Sequence, residues 1–546
     1  MSRKNLFYAI LPVLFAVLLV NLNGWGVLEA SEARYAEVSR EMFRSGDYLH
    51  PTLLNIYHYH KPPITYAITA LGLKLFGVNG FGARFFLQVA LVTQCVLIYR
   101  IALKLLGSNA KAAIASLIYI ALPMSVMSVR NLTTDAFLNT FQLAAIYCLM
   151  VFRLDGKMSG LYGAAVWMGI GFLTKGPAAI VFPVPMWIYL QLTYPSKRAK
   201  PELHHWLAAG GSFVAIAVSW YVYLCVQNPE FTEYFLWKHI VLRVASAETF
   251  DRDKPWWFYL AVFAIANLPW VAVFLVGLFK ERKHLWSNPI VRMSWFWIVA
   301  PIAFFSLASS KLTFYILPVS AGLAIVTAHL LGELSPPALA RLTMPILGFY
   351  GIVGTILLAV PLVVADIHPS IATVAISGTM LIFLAAMACW RTKMELGMKM
   401  ALTSALFMMM LVAYSSYFLG RNELLVSGTR PIANFIQREN LAELPIVVYN
   451  EFLPSLAFNL YKDIITINNG NIERELQFQQ NNDWKQFLIQ VDDPVAVTDL
   501  KRLVEKPSVL VVQGELPEQW DWLQARYPFS QTFDRWRVFY DRNPRS

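Results

Sequence analysis

Along most of this chain, apolar residues run for about twenty positions and then yield to short polar turns, the pattern of helices that cross a hydrocarbon layer. The runs lie near 6–27, 81–106, 110–129, 135–153, 158–174, 176–195, 204–226, 257–279, 289–308, 312–333, 342–365, 369–390 and 397–419, and predict about thirteen spans. Two regions break the pattern. From Glu32 to Arg44, Tyr35, Val38 and Met42 recur at helical spacing while Arg34, Glu37, Arg40, Glu41 and Arg44 fill the other sides. That predicts an interfacial helix lying flat on the membrane with its polar face free. Beyond about residue 420, polar residues rise and short apolar runs predict strands at Ile446–Tyr449, Ile464–Ile467, Val495–Thr498 and Val509–Val512, with helices near 453–461, 499–506 and 517–526. The expected organisation is a membrane domain, 1–420, with a first loop (28–80) and a long outer loop (227–256), followed by an α/β domain, 421–546.

Composition narrows the class. Hydrophobic residues make up 57% of the chain and charged ones 14%, which excludes an ordinary soluble domain. The net charge of +11 is spread over short alternate loops, carrying for example Arg100, Lys104 and Lys111, then Arg153 and Lys157, then Lys280, Arg282 and Lys283. Basic loops on every second turn set orientation in a bilayer, so no nucleic-acid partner is implied. They place the first loop, the 227–256 loop and the tail on the outer face. Cys95, Cys148, Cys225 and Cys389 all sit in apolar runs and suggest neither disulfides nor a thiolate site. The N-terminal run is read as the first span, since no small-residue cleavage site follows it.

The polar residues that interrupt this pattern fall at span ends on that outer face. His58, His60 and Lys61 run into Pro62 and Pro63; Asp135 lies in RNLTTDAFLN, Lys175 in TKGP, His239 and Arg243 in FLWKHIVLRV, and Lys311 with Tyr315 in SSKLTFYILP. Ionisable groups beside hydrocarbon are costly unless they face a cavity or a partner, which makes them functional candidates. The plainer alternatives are that Asp135 caps a helix, that Lys175 and Lys311 reach out to the interface, and that His239 is an ordinary helix residue.

SEARYAEVSREM, YHKPP, the Asp135 element, TKGP, WKHI, NLPW and SKLTFYILP together resemble the bacterial 4-amino-4-deoxy-L-arabinose lipid A transferases, within the protein O-mannosyltransferase-like membrane glycosyltransferases. The resemblance implies a polytopic α-helical GT-C fold in the bacterial inner membrane and a periplasmic C-terminal α/β domain. It also implies an undecaprenyl-phosphate-linked sugar donor and a periplasmic-side acceptor, lipid A or a similar envelope lipid or glycan. Expulsion of polyprenyl phosphate builds negative charge that fixed cations stabilise. Arg34, Lys61 and Arg243 are the first candidates for that role, with Lys175, Lys311 and Tyr315 beside them. The family's divalent metal maps onto His60 and His239, with His58 as an extra ligand, and imidazoles suit zinc.

The chain departs from the family in two places. His60 stands where relatives carry an acid, and Ser31 stands where they carry the first of an Asp-Glu pair, which leaves Asp135, Glu32 or Glu29 as candidate bases for a hydroxyl acceptor. A phosphate acceptor needs little deprotonation, so this departure favours an acidic lipid acceptor and only a modest effect of Asp135→Asn. A mannosyltransferase-like enzyme acting on hydroxyls, a polytopic transporter and a noncatalytic lipid-binding scaffold remain as alternatives.

Overall fold

The computed structural model describes residues 3–195, 201–228, 230–233, 254–308, 310–468, 479 and 482–541. They form two compact units, Met1–Asn21 with Phe86–Phe418, and Leu22–Phe85 with Leu419–Ser546. The second boundary falls beside the composition change at residue 420, whereas the first loop shares its unit with the tail.

Among the described residues, seven helices are long and apolar enough to cross a membrane: Gly80–Leu106, Thr134–Asp155, Leu203–Gln227, Pro289–Leu307, Pro336–Val363, Ile371–Cys389 and Leu396–Arg421. Three bent pairs raise the number to ten: Asn109–Ala121 with Pro123–Arg130 at 58°, Met158–Ile180 with Pro183–Thr193 at 67°, and Phe258–Ile265 with Trp270–Lys280 at 103°. Pro123, Pro183 and Pro269 mark the breaks, because proline removes a helix donor and crowds the preceding turn. The expected spans 158–174 and 176–195 are the two arms of one of these bent pairs. Those at 6–27 and 312–333 hold the shorter helices Phe7–Leu19 and Val319–Glu333.

In the second unit, helix Ser31–Ser45 is followed by a hairpin of β1 (Thr52–Leu53) and β2 (Ile56–Tyr57), turned by Leu54 and Asn55 at positive φ. Helix Ile64–Phe76 starts directly after Pro62 and Pro63. The tail adds β3 (Ile446–Tyr449), β4 (Ile465–Asn468), β5 (Leu488–Gln490), β6 (Val509–Gln513), β7 (Phe529–Phe533) and β8 (Trp536–Tyr540) in the spatial order β5-β4-β3-β6-β8-β7. The first four strands are parallel, and the β7–β8 hairpin closes one edge antiparallel. One face of the sheet packs Val448, Val509 and Val511 on Leu456, Ala457, Val38 and Met42, and the other packs Val447, Leu510 and Val512 on Leu500 and Leu523. Burial on both faces explains why these strands read as continuous apolar runs.

Two expectations are corrected here. Val495–Thr498 is not a strand but part of helix Pro494–Val504. Asp493 caps it by accepting from the Val495 N–H at 2.9 Å, and Pro494 suits its first turn. The polar face of helix Ser31–Ser45 is also not free, since Glu37, Arg40 and Glu41 are buried.

Candidate functional site

In the helical unit, three segments far apart in sequence meet. Asp135 lies in the first turn of helix Thr134–Asp155, where Thr133 Oγ1 accepts from its N–H at 3.4 Å. Lys175 ends helix Met158–Lys175, and Gly176 follows at φ +63°, a conformation that favours glycine. Lys175 Nζ stands 2.5 Å from Asp135 Oδ1, with side chains only 7% and 10% exposed respectively. On its other side the ammonium lies 4.4 Å from the centroid of the Tyr315 ring. Asp135 is therefore more than a helix cap. Lys311 is buried beside this group in sequence and donates to the Lys254 carbonyl at 2.9 Å, while Tyr259 holds both the N–H and the carbonyl of Leu312 at 3.2 Å.

A buried network braces the helix that bears Asp135. Gln94 Nε2 donates to the Ala136 carbonyl at 2.8 Å and to Thr140 Oγ1 at 2.9 Å; Tyr119 donates to Gln94 Oε1 at 2.7 Å, and Asn139 donates to the Tyr119 hydroxyl at 2.8 Å. Sequence reasoning missed Gln94 and Asn139. Their signal was an amide inside an apolar run, which is costly unless paired.

In the second unit, Glu32 is bound at both carboxylate oxygens: Arg84 Nε donates to Oε1 at 2.8 Å and Arg84 Nη2 to Oε2 at 2.8 Å. Arg84 also donates to the carbonyls of Leu22, Trp25 and Gly26 and lies 4.2 Å from the Trp25 ring centroid. With both oxygens held in this pair, Glu32 braces the start of its helix against Arg84. Arg34 is half-buried near Glu29, whose Oε1 accepts the Ser455 N–H at 2.7 Å. Burial pushes the Glu29 carboxyl up to about 7, against the lowering effects of Ser455 and Arg34.

Further along the same helix, Arg40 grips Glu37 through Nε at 2.8 Å and Nη2 at 2.6 Å and reaches Asp463 at 3.4 Å. Arg44 donates to both Asp463 oxygens at 2.7 and 2.8 Å. Glu41 accepts the Asn55 N–H, and burial together with the neighbouring Glu37 raises its carboxyl to about 8, Thr52, Arg40 and Asn55 opposing. These charges satisfy one another within the unit, which is why a face so polar can be buried.

The His58 and His60 rings lie with centroids 4.1 Å apart; His58 is buried, and Lys61 next to them is half-buried. Two imidazoles offer two donors for a metal such as zinc, but no group of three or more His, Cys, Asp or Glu fit to hold an ion occurs among the described residues. His239 and Arg243 lie outside the described residues.

The apolar helices define a multi-pass helical membrane protein, and its likeness to solved structures gives it the GT-C fold. The crystal structure of ArnT from Cupriavidus metallidurans bound to undecaprenyl phosphate superposes with a TM-score of 0.77 at 23% identity, covering 98% of this chain and 97% of that one. Its apo form matches at 0.76 and 22%. Residues 60–221 match the family described as dolichyl-phosphate-mannose-protein mannosyltransferase. The chain is similar to the undecaprenyl phosphate-alpha-4-amino-4-deoxy-L-arabinose arabinosyl transferases of Photorhabdus laumondii, at 30% identity over 59% of this chain and 58% of that protein, and of Aeromonas salmonicida, at 32% over 66% of each. The matched region thus spans about three fifths of the length of the first of these relatives. The resemblance read from the sequence is found in sequence and fold alike.

Proposed function

We propose that the chain is an integral-membrane glycosyltransferase that moves a sugar from an undecaprenyl-phosphate-linked donor to an acceptor at the outer face of the bacterial inner membrane, lipid A or a similar envelope lipid. The observation that carries this reading is the nearly buried Asp135–Lys175 pair against Tyr315, placed among apolar helices where ionisable groups are costly and by default mark a functional site. The names of the relatives and the shared fold support it. In the reaction the bond from the anomeric carbon to the donor phosphate oxygen breaks, a bond to an acceptor oxygen forms, and polyprenyl phosphate leaves. Arg34, Lys61 and Arg243, with Lys175 and Lys311, supply cations for the departing phosphate. Asp135 takes the proton where the acceptor is a hydroxyl; a phosphate acceptor has none to give up.

The finer organisation belongs to the same proposal: about thirteen crossings, with the first loop, the 227–256 loop and the tail domain in the periplasm. His60 and His239, with His58 beside them, are the proposed ligands of a divalent metal, zinc by donor type, and no step above runs through it. Elemental analysis of the purified protein checks this, with zinc retained in the wild type and lost in His60→Ala.

The test of the whole reading is release of undecaprenyl phosphate from a lipid-linked sugar by the purified chain, with lipid A present and the product weighed by mass spectrometry. Sugar on lipid A is expected. Vectorial movement of the lipid without a new glycosidic bond would mean a transporter, and binding with neither would mean a scaffold.

A further inference from the structure

The tail sheet changes direction between β3 and β6. The connection leaving β3 enters helix Pro454–Leu460, whose Leu456 and Ala457 pack on one face, while the segment after β6 leads to Leu523 on the opposite face. Diverging connections mark a topological switch point at the carboxyl ends of the two strands, the place where open α/β sheets form a crevice for their ligands. Both chains turn away there at positive φ, Asn450 at 51° and Gly514 at 74°.

A ring of polar groups surrounds that crevice, all within the second unit. The Glu29 N–H donates to the Ser427 carbonyl at 3.0 Å, and Arg535 Nη2 donates to Ser427 Oγ at 2.9 Å. The Gln513 amide, turned with its nitrogen to Glu451, donates to Oε1 at 3.1 Å and accepts from Arg535 Nε at 3.3 Å. The Glu451 carboxylate in turn acts on Glu29, as does the Arg34 guanidinium. Glu451 and Arg535 are exposed and Glu29 is half-buried, so the ring is open to solvent on one side.

We propose that this crevice is a sugar-binding subsite, with Glu451, Gln513 and Arg535 as the groups that hold the hydroxyl-bearing head of a substrate lipid. The charges choose the ligand class. At about pH 8, above the raised Glu29 value, two carboxylates, Glu29 and Glu451, face two guanidiniums, Arg34 and Arg535, so the ring offers a bare phosphate little net attraction. Alternating donors and acceptors suit vicinal hydroxyls, each of which gives one hydrogen bond and takes another. The inference rests on the proposed function only for the source of the sugar, a membrane lipid; the ring itself does not depend on sugar transfer.

Saturation-transfer NMR on the full chain in detergent micelles, with D-glucosamine as the probe and inorganic phosphate as competitor, tests it. Saturation of the sugar ring protons is expected in the wild type, falling about fivefold or more in Gln513→Ala and in the Glu451→Ala/Arg535→Ala double variant, the loss of one or two hydrogen bonds. The control Asp499→Asn, on helix Pro494–Val504, is expected to match the wild type. Should the double variant fail to fold, Gln513→Ala, which changes no charge, still decides. Equal saturation in wild type and Gln513→Ala overturns the proposal, and so does displacement of the sugar by equimolar phosphate, which would mark an anion site. Sugar transfer is not read here: lost binding leaves the transferase proposal standing, and failed transfer with binding intact leaves the subsite standing.

Discussion

An ion pair about nine-tenths hidden from solvent ties its members together, because removing one strands the other in a poor solvent for charge. Asp135 and Lys175 therefore act as a unit. The modest effect of Asp135→Asn expected from the chemistry of the acceptor alone is replaced by a larger one, since asparagine removes the negative charge that balances the nearly buried Lys175 ammonium. Asp135→Asn and Lys175→Met are each expected to slow transfer about a hundredfold, and the double variant by no more than the worse single change. Additive losses in single-turnover kinetics would show that the two side chains work separately. Glu41 has a different signature. Burial raises its carboxyl from the ordinary 4.5 to about 8, so the folded chain keeps a proton that the unfolded chain releases. The stability this gives is complete below about pH 4.5 and is lost as pH rises through about 8. Glu29, raised to about 7, acts in the same direction. Melting temperature in detergent is expected to fall across that window, and Glu41→Gln to flatten part of the slope.

At the scale of elements, local chemistry and tertiary packing compete. The run Pro494–Thr498 carries β-branched residues, yet an aspartate before a proline starts a helix more strongly than three apolar residues start a strand. Asp493→Ala should cost about 1 kcal/mol of stability, read from denaturant unfolding of the full chain, by leaving the Val495 N–H without its acceptor. Helix Ser31–Ser45 has the amphipathic pattern of an interfacial segment, but Val38 and Met42 join the core under the tail sheet and its charged side is closed by Arg44 on Asp463. Arg44 is partly exposed, and screening keeps its pair with Asp463 weak. Arg44→Ala is accordingly expected to shift melting by no more than a degree or two, less than the loss of the fully buried Arg40 would. Comparable shifts for the two would show that burial does not order these pairs.

On the scale of the whole molecule, the seven to ten apolar helices among the described residues should keep the chain in the membrane pellet through an alkaline carbonate wash, which strips proteins held by surface contacts alone. Appearance in the supernatant would contradict the multi-pass fold. Much of that fold was legible from hydrophobic run length, because lipid demands long apolar helices wherever they sit. Strands β3, β4 and β6 were legible for a related reason: burial on both faces writes a continuous apolar run. Asp135, Lys175 and Tyr315 stood out because polar residues are rare beside spans, although nothing in their spacing says that they touch. Exposed β7 and its partner β8, the bends at Pro123, Pro183 and Pro269, and the Glu32–Arg84 pair were settled only in three dimensions. An acid's role depends on which cation lies next to it, and Glu32 and Arg84 are brought together by packing across 52 positions of chain. Sequence alone thus determined which segments must leave water and which side chains are too costly to be idle. Tertiary structure decided which of those side chains meet, because pairing energies fall off over a few ångströms while the chain carries no local record of such distances.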